Sequence, residues 1–187
     1  MTRHAPPSID TKQFRKVLGQ FATGVTVVTA QAGEDRSAMT ANAFSSLSLD
    51  PPLVLVCPER RTRTLGVIRA AGAFAINILS EEQEWIARHC SARATAGTDR
   101  LAAVAHHPGT TGAPILEHVL AHLECRVWAE YPGGDHTILV GQVVELSLAA
   151  RGRPLLFYGG RFTSLVEAAL SLLRTYHPAN PMSGELF

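Results

Sequence analysis

Three stretches carry side chains whose types and spacing could do chemistry. The first, Ser37–Val54 (SAMTANAFSSLSLDPPLV), interleaves small residues with the hydroxyls of Thr40, Ser45, Ser46 and Ser48 and the single amide of Asn42. Small residues let a flat ring lie close against backbone, while hydroxyls and an amide bind polar ring edges and phosphate. Composition by itself favours a plainer reading, a serine-rich β-turn with solvated hydroxyls. The second stretch, Cys57–Leu65 (CPERRTRTL), is basic and hydroxyl-rich just ahead of an expected helix. Free N–H groups at a helix start, Thr62, Thr64 and neighbouring arginines make a plausible phosphate seat. A solvated loop with one N-capping threonine fits it equally well. The third is Gly134-Asp135-His136, followed by Gly141. Taken alone, His136 reads as an ordinary surface or core histidine.

Other chemistries find no support. No GxGxxG follows a strand, and GxxxxGK[ST], GxSxG and HExxH are all missing. His118 and His122 are four apart, which on a helix could hold a metal, but His122 leads into an apolar strand and no further ligands complete a set. No metal site is expected. Cys57, Cys90 and Cys125 are few, odd in number and widely spaced, so buried free thiols are expected rather than a disulfide framework. The formal net charge of +1 gives no electrostatic case for a nucleic-acid or anionic-membrane partner. No apolar run approaches the ~20 residues that span a bilayer. The start, MTRHAPP, lacks an apolar secretory core, and a cytoplasmic address is expected. With 46% hydrophobic and 18% charged residues, the 187-residue chain suits one globular domain with a sizeable core.

The elements that must position these residues follow from periodicity. Phe14, Val17, Leu18 and Phe21 recur at i, i+3, i+4 and i+7, predicting a helix, with Asp10 and Gln13 resembling a capping box. Gly24–Ala30 is short and β-branched, and Ser37–Phe44 suits its hairpin partner. Leu53–Cys57 and Phe74–Leu79 read as strands, with a helix over Thr64–Ala71 between them. Ser80 and Gln83 form a second capping box before a helix through Cys90. Ser91–Pro114 reads as loop with helical turns. Two long strands, Leu123–Tyr131 and Thr137–Leu148, are joined by a glycine-bearing turn at Pro132–His136. Leu155–Tyr158 reads as a last strand, and Ser164 with Glu167 caps a final helix. Many strands, few helices and no strict βαβ alternation predict a mainly β protein, an antiparallel barrel with peripheral helices.

Several blocks in order resemble the short-chain NAD(P)H:flavin oxidoreductase family. They are FATGVTVVTA from Phe21, MTANAFSSLSLDPPLVLV from Met39, FAINIL from Phe74, TGAPILE from Thr111, LECRV from Leu123, GDHTILVGQVV from Gly134 and LLFYGGRF from Leu155. The likeness runs from about Phe14 to Phe162. It implies a flavin-binding, Greek-key split β-barrel over residues 1–163, with 164–187 as a C-terminal helix and tail of the same domain. The resemblance also implies a homodimer with flavin sites near the subunit interface. The implied activity is reduction of FMN or FAD by NADH or NADPH, feeding a separate flavin-dependent monooxygenase. By position, Thr40, Ala41 and Asn42 line the flavin ring, and Ser45, Ser46 and Leu47 form a flavin-contacting turn. Cys57, Thr62, Arg63 and Thr64 belong to a phosphate-binding loop, and Asn77 lies on a strand beside the site. His136 matches a nicotinamide-nucleotide position and is the one residue assigned to catalysis, while Tyr158 and Arg161 flank the nucleotide entrance. Ala92–Val104 departs from the family pattern, with Leu101 where relatives often carry an aromatic. Three other readings stand beside this one: a barrel flavoprotein that keeps its flavin and acts on another substrate, a non-enzymatic flavin or haem carrier, and a protein-interaction barrel that binds no flavin.

Overall fold

The structure, a computed structural model, describes residues 9–92, 98–149 and 151–166. The helix expected from Ser164, and the tail to Phe187, lie outside the described residues from 167 onward.

Seven strands form one antiparallel sheet: β2 (Thr26–Ala32), β3 (Asp35–Ala41), β4 (Phe44–Leu49), β5 (Pro52–Val56), β6 (Ala73–Ile78), β9 (Ala121–Gly133) and β10 (His136–Leu148). Their spatial order is β3-β2-β6-β9-β10-β5-β4. A small hairpin, β7 (His106–Pro108) with β8 (Pro114–Leu116), and a three-stranded sheet of β1 (Thr23–Gly24), β11 (Leu156–Tyr158) and β12 (Arg161–Thr163) complete the β structure. Among the described residues the α-helices are α1 (Thr11–Leu18), α2 (Arg63–Ala71) and α3 (Glu84–Ser91).

The connection between β3 and β4 dictates the shape. These strands are the two edges of the sheet, yet only Asn42 and Ala43 separate them in the chain. Three peptide units reach at most about 11 Å, so the sheet must curl until its edges approach at that point. Among the described residues no ladder joins β3 to β4, so the chain rather than hydrogen bonds bridges the seam. Helix α2 packs Val67 and Ile68 into the enclosed core with Val28, Met39, Val56, Phe74, Ile76, Cys125 and Leu139. A second core lies on the other face of β2 and β3, where Val27 and Ala38 meet Ile86, Ala87 and Cys90 of α3 and Leu101, Leu116 and Leu155. Because both its faces are covered, β2 shows a continuous buried run instead of alternation.

Two glycines decide local geometry. Gly141 on β10 lets the Phe74 ring fill the enclosed core, since a Cβ there would lie 2.5 Å from Phe74 Cζ and 2.8 Å from Cys125 Cβ. Gly134, at φ 75°, supplies the left-handed residue of a two-residue hairpin in which Gly133 pairs with His136. The turn is therefore tighter than the expected Pro132–His136, because the strands continue through Pro132 and Gly133.

Other differences have equally local causes. The serine-rich stretch is an edge strand with a register shift between Ser46 and Ser48, leaving Leu47 as the extra residue of a bulge. Its hydroxyls hid the strand because an edge strand needs little apolar alternation. Asp10 caps α1 by accepting from Lys12 N at 3.1 Å rather than through a box with Gln13. The expected loop after Ser91 contains a 3-10 turn at Arg100–Ala103 and the β7–β8 hairpin; Leu101 is fully buried in the second core.

Candidate functional site

Adjacent chain segments assemble the site at the β3–β4 crossing. Cys57 N donates to Ala43 O at 3.1 Å, Thr137 N donates to Pro58 O at 2.9 Å, and Glu59 bridges His136. Asn42-Ala43, Cys57-Pro58 and His136-Thr137 thus run side by side, placing Asn42 and His136 two strand spacings apart, about 10 Å. The sequence separates them by more than ninety residues.

Alternation along β3 sorts its side chains. Met39 and Ala41 face the enclosed core, where Ala41 also offers its carbonyl to the Thr26 hydroxyl at 2.7 Å. Ala38, Thr40 and Asn42 face the other way. Thr40 donates its hydroxyl to Ala87 O of α3 at 2.7 Å, which leaves only acceptor capacity for a ligand. Thr40 and Asn42 line a cavity of about 340 Å3 with Val25, Ser91, Phe157 and Phe162. Phe157 and Phe162 meet edge to face at 5.5 Å on the β11–β12 hairpin, and the Arg88 guanidinium lies 5.0 Å from the Phe162 centroid. A cavity of this size with aromatic walls and a few polar groups suits a flat heteroaromatic ring. Asn42 is exposed and its amide makes no hydrogen bond among the described residues. That unspent donor–acceptor pair at the cavity rim is what a ring with amide-like edges requires, so the residues fit a flavin.

The hairpin tip holds His136 half exposed, with Nδ1 2.7 Å from Asp135 Oδ1. The tip is fixed from below, because Arg60 N donates to Asp135 O at 2.9 Å. The bond and charge of His136 hold the Asp135 carboxyl below its usual range, with Arg15 of α1 adding a smaller pull. Tyr158 and Arg161 flank the Gly159-Gly160 turn, and Gly159 N donates to Gly19 O at 2.7 Å, docking the end of α1 there.

The remaining expected residues divide. Ser45, Ser46 and Leu47 lie exposed on β4, and Ser45 donates to Ser46 O at 3.0 Å. Thr62 is spent as the N-cap of α2, accepting from Leu65 N at 3.3 Å. Thr64 is buried, its hydroxyl 2.9 Å from that of Ser37. Arg63 remains half exposed but turns to Asp35 and to Thr98 O. Cys57 is partly buried, and burial raises its thiol pKa, as it does for Cys90 to about 11 and Cys125 to about 12. All three thiols stay protonated at neutral pH.

Asn77 is the residue the structure sets apart from the cavity. It is 0% exposed, donates to Val27 O and Thr29 Oγ1 at 3.1 Å each, and accepts from Leu116 N at 2.9 Å. Its amide ties β2, β6 and β8 together and has no face left for a ligand. Glu124 is similarly internal. Burial raises its carboxyl pKa, but the Thr111 N–H and hydroxyl at 2.7 Å each and the Thr110 N–H at 3.0 Å prevail and hold it below its usual range. The sequence reading missed Val25, Ser91, Phe157 and Phe162 as cavity walls. The LLFYGGRF block was the available signal, since its two glycines imply a tight hairpin whose aromatics share a face.

Residues 18–166 match the family described as the flavin reductase like domain. An NADH-dependent flavin reductase from a Rhodococcus species is 45% identical over 168 residues, covering 85% of this chain and 89% of the relative. The reductase subunit HsaB of a flavin-dependent monooxygenase from Rhodococcus jostii is 38% identical, covering 86% and 81%. Among solved structures, the Streptomyces globisporus NADH:FAD oxidoreductase SgcE6, in complex with NAD and FAD fragments, superposes with a TM-score of 0.76. It is 40% identical and covers 84% of this chain and 95% of its own.

Proposed function

The chain belongs to the flavin reductase-like family, and we propose that it uses NADH or NADPH to reduce free FMN or FAD for a separate monooxygenase. The observation that carries this reading is the aromatic-walled cavity with an unspent Asn42 amide, two strand spacings from His136. The relatives' names favour NADH and FAD within those pairs.

The chemistry supplied by the bound pair is hydride transfer from nicotinamide C4 to flavin N5. The protein's task is then mainly placement, since reacting atoms must come within about 3–3.5 Å. Asn42 and the acceptor oxygen of Thr40 register one ring against β3, and Phe157 and Phe162 exclude water from its side. His136, oriented by Asp135, holds the nicotinamide nucleotide, with no proton to move in the hydride step. The exposed serines of β4 and Arg63 serve the phosphate-bearing side chain. The wide rim and mostly solvent-facing polar groups suit a flavin that enters and leaves as a substrate.

A homodimer completes this proposal. Leu49 at the β4 edge is 94% exposed, and Val144, Leu146 and Leu148 expose the distal half of β10. Such an apolar strip beside an open edge strand supports a subunit contact. A cytoplasmic address suits three free thiols. Among the described residues no helix is long and apolar enough to cross a membrane.

Steady-state NADH oxidation tests the reading. Rates should depend on added flavin after exhaustive dialysis, and His136→Ala should raise KM for the nicotinamide nucleotide about tenfold, a loss of about 1.4 kcal/mol, with a smaller fall in kcat. Oxidation at full rate without added flavin would point to a retained prosthetic group instead.

A further inference from the structure

Arg63 opens α2 immediately after the Thr62 cap, yet its guanidinium is already engaged by an anion of the protein's own. Asp35, at the start of β3 and 28 residues away in sequence, pairs with it, while a second guanidinium nitrogen donates to Thr98 O at 3.0 Å. Both charged groups are substantially solvent-accessible, at 42% for Arg63 and 55% for Asp35. Asp35 lies at the end of β3 remote from Asn42, with the strand rising about 3.3 Å per residue between them. The pair therefore turns the arginine away from the ring cavity.

A carboxylate and a phosphate compete for a guanidinium through the same bidentate geometry. Resting on the reading of Arg63 as a flavin-phosphate contact, we propose that Asp35 is a built-in competitor for that phosphate. It weakens binding of phosphate-bearing flavins and eases departure of the reduced product. The exchange is inexpensive because an exposed ion pair contributes little in water. It is also selective: a flavin without phosphate does not compete for Arg63, so Asp35 acts on FMN and FAD and leaves riboflavin untouched.

The test is equilibrium titration by flavin fluorescence with wild type, Asp35→Asn, Asp35→Ser and Arg63→Ala, using FMN and riboflavin at low and high salt. Both Asp35 variants should bind FMN about two- to fivefold more tightly at low salt, with riboflavin affinity unchanged and the gain lost at high salt. Arg63→Ala should weaken FMN alone. Unchanged or weaker FMN binding in the Asp35 variants, while Arg63→Ala still weakens FMN, overturns the competitor role and leaves the phosphate contact standing. Equal tightening of riboflavin overturns it as well, since the effect would then be structural. If Arg63→Ala leaves FMN affinity unchanged, the phosphate contact itself fails and the proposal fails with it.

Discussion

Asn42 and Asn77 carry the same amide, one at the β3–β4 crossing and the other on β6 of the same sheet, in opposite circumstances. Around Asn77 every polar group is answered: its three hydrogen bonds join β2, β6 and β8, and nearby Glu124 is satisfied by Thr110 and Thr111. Around Asn42 the chain crosses from one sheet edge to the other, the amide is unspent, and the hydroxyls of β4 face solvent. The first region uses polar side chains to fix the sheet, because an unmade hydrogen bond in a dry interior costs about 1–3 kcal/mol. In the second, unmade bonds cost nothing while water supplies them, and they remain available to a ligand. Stability and binding are thus held by different residues of the same type, which makes the two regions separable by mutation.

Asn77→Leu should break the first region most severely. It orphans the buried Leu116 N–H and removes the amide's two donated bonds, to Val27 O and Thr29 Oγ1, and should lower unfolding free energy by about 3 kcal/mol, measured by urea denaturation. A loss below a few tenths of a kcal/mol would mean that Asn77 does not clamp the strands. Glu124→Gln turns an amide NH2 towards the Thr110 and Thr111 donors and should cost about 2 kcal/mol at neutral pH. Its pH dependence sharpens the point. Because the folded carboxyl sits below its unfolded value, its stabilisation is full above the ordinary glutamate pKa of about 4.3 and fades as pH falls through the folded value. The gap between wild type and Glu124→Gln should therefore narrow on acidification; a gap that widens would reverse the assignment. Asn42→Ala should leave stability within about 0.5 kcal/mol, and weaken FMN or FAD binding by about 1 kcal/mol, roughly three- to tenfold. Destabilisation comparable to Asn77→Leu would erase the distinction between the regions.

The sequence announced the strands through their apolar runs, and the ordered blocks placed Thr40–Asn42 and His136 in one family pattern. It was silent on the fates of individual polar groups. Nothing local distinguishes the Asn in TANAF from the Asn in FAINIL as exposed or buried; that depends on β8 reaching Asn77 from almost forty residues away. Thr64 likewise looked available until Ser37 took its hydroxyl. The serine-rich segment read as a turn because an edge strand with a bulge needs no hydrophobic alternation. Arg63 was legible as a cation near a helix start, but its partner Asp35 comes from another hairpin. Pairings across the fold, unlike periodicity along the chain, leave no mark on neighbouring residues.

On the proposed reading, this cavity brings nicotinamide and flavin together. Anaerobic stopped-flow mixing of protein and free FMN or FAD with NADH or NADPH, followed at the oxidised-flavin absorbance, tests it directly. Rapid, protein-dependent bleaching, slowed by Asn42→Ala and by His136→Ala, is the predicted result. Flavin that binds the protein yet stays oxidised with either nicotinamide nucleotide would contradict it.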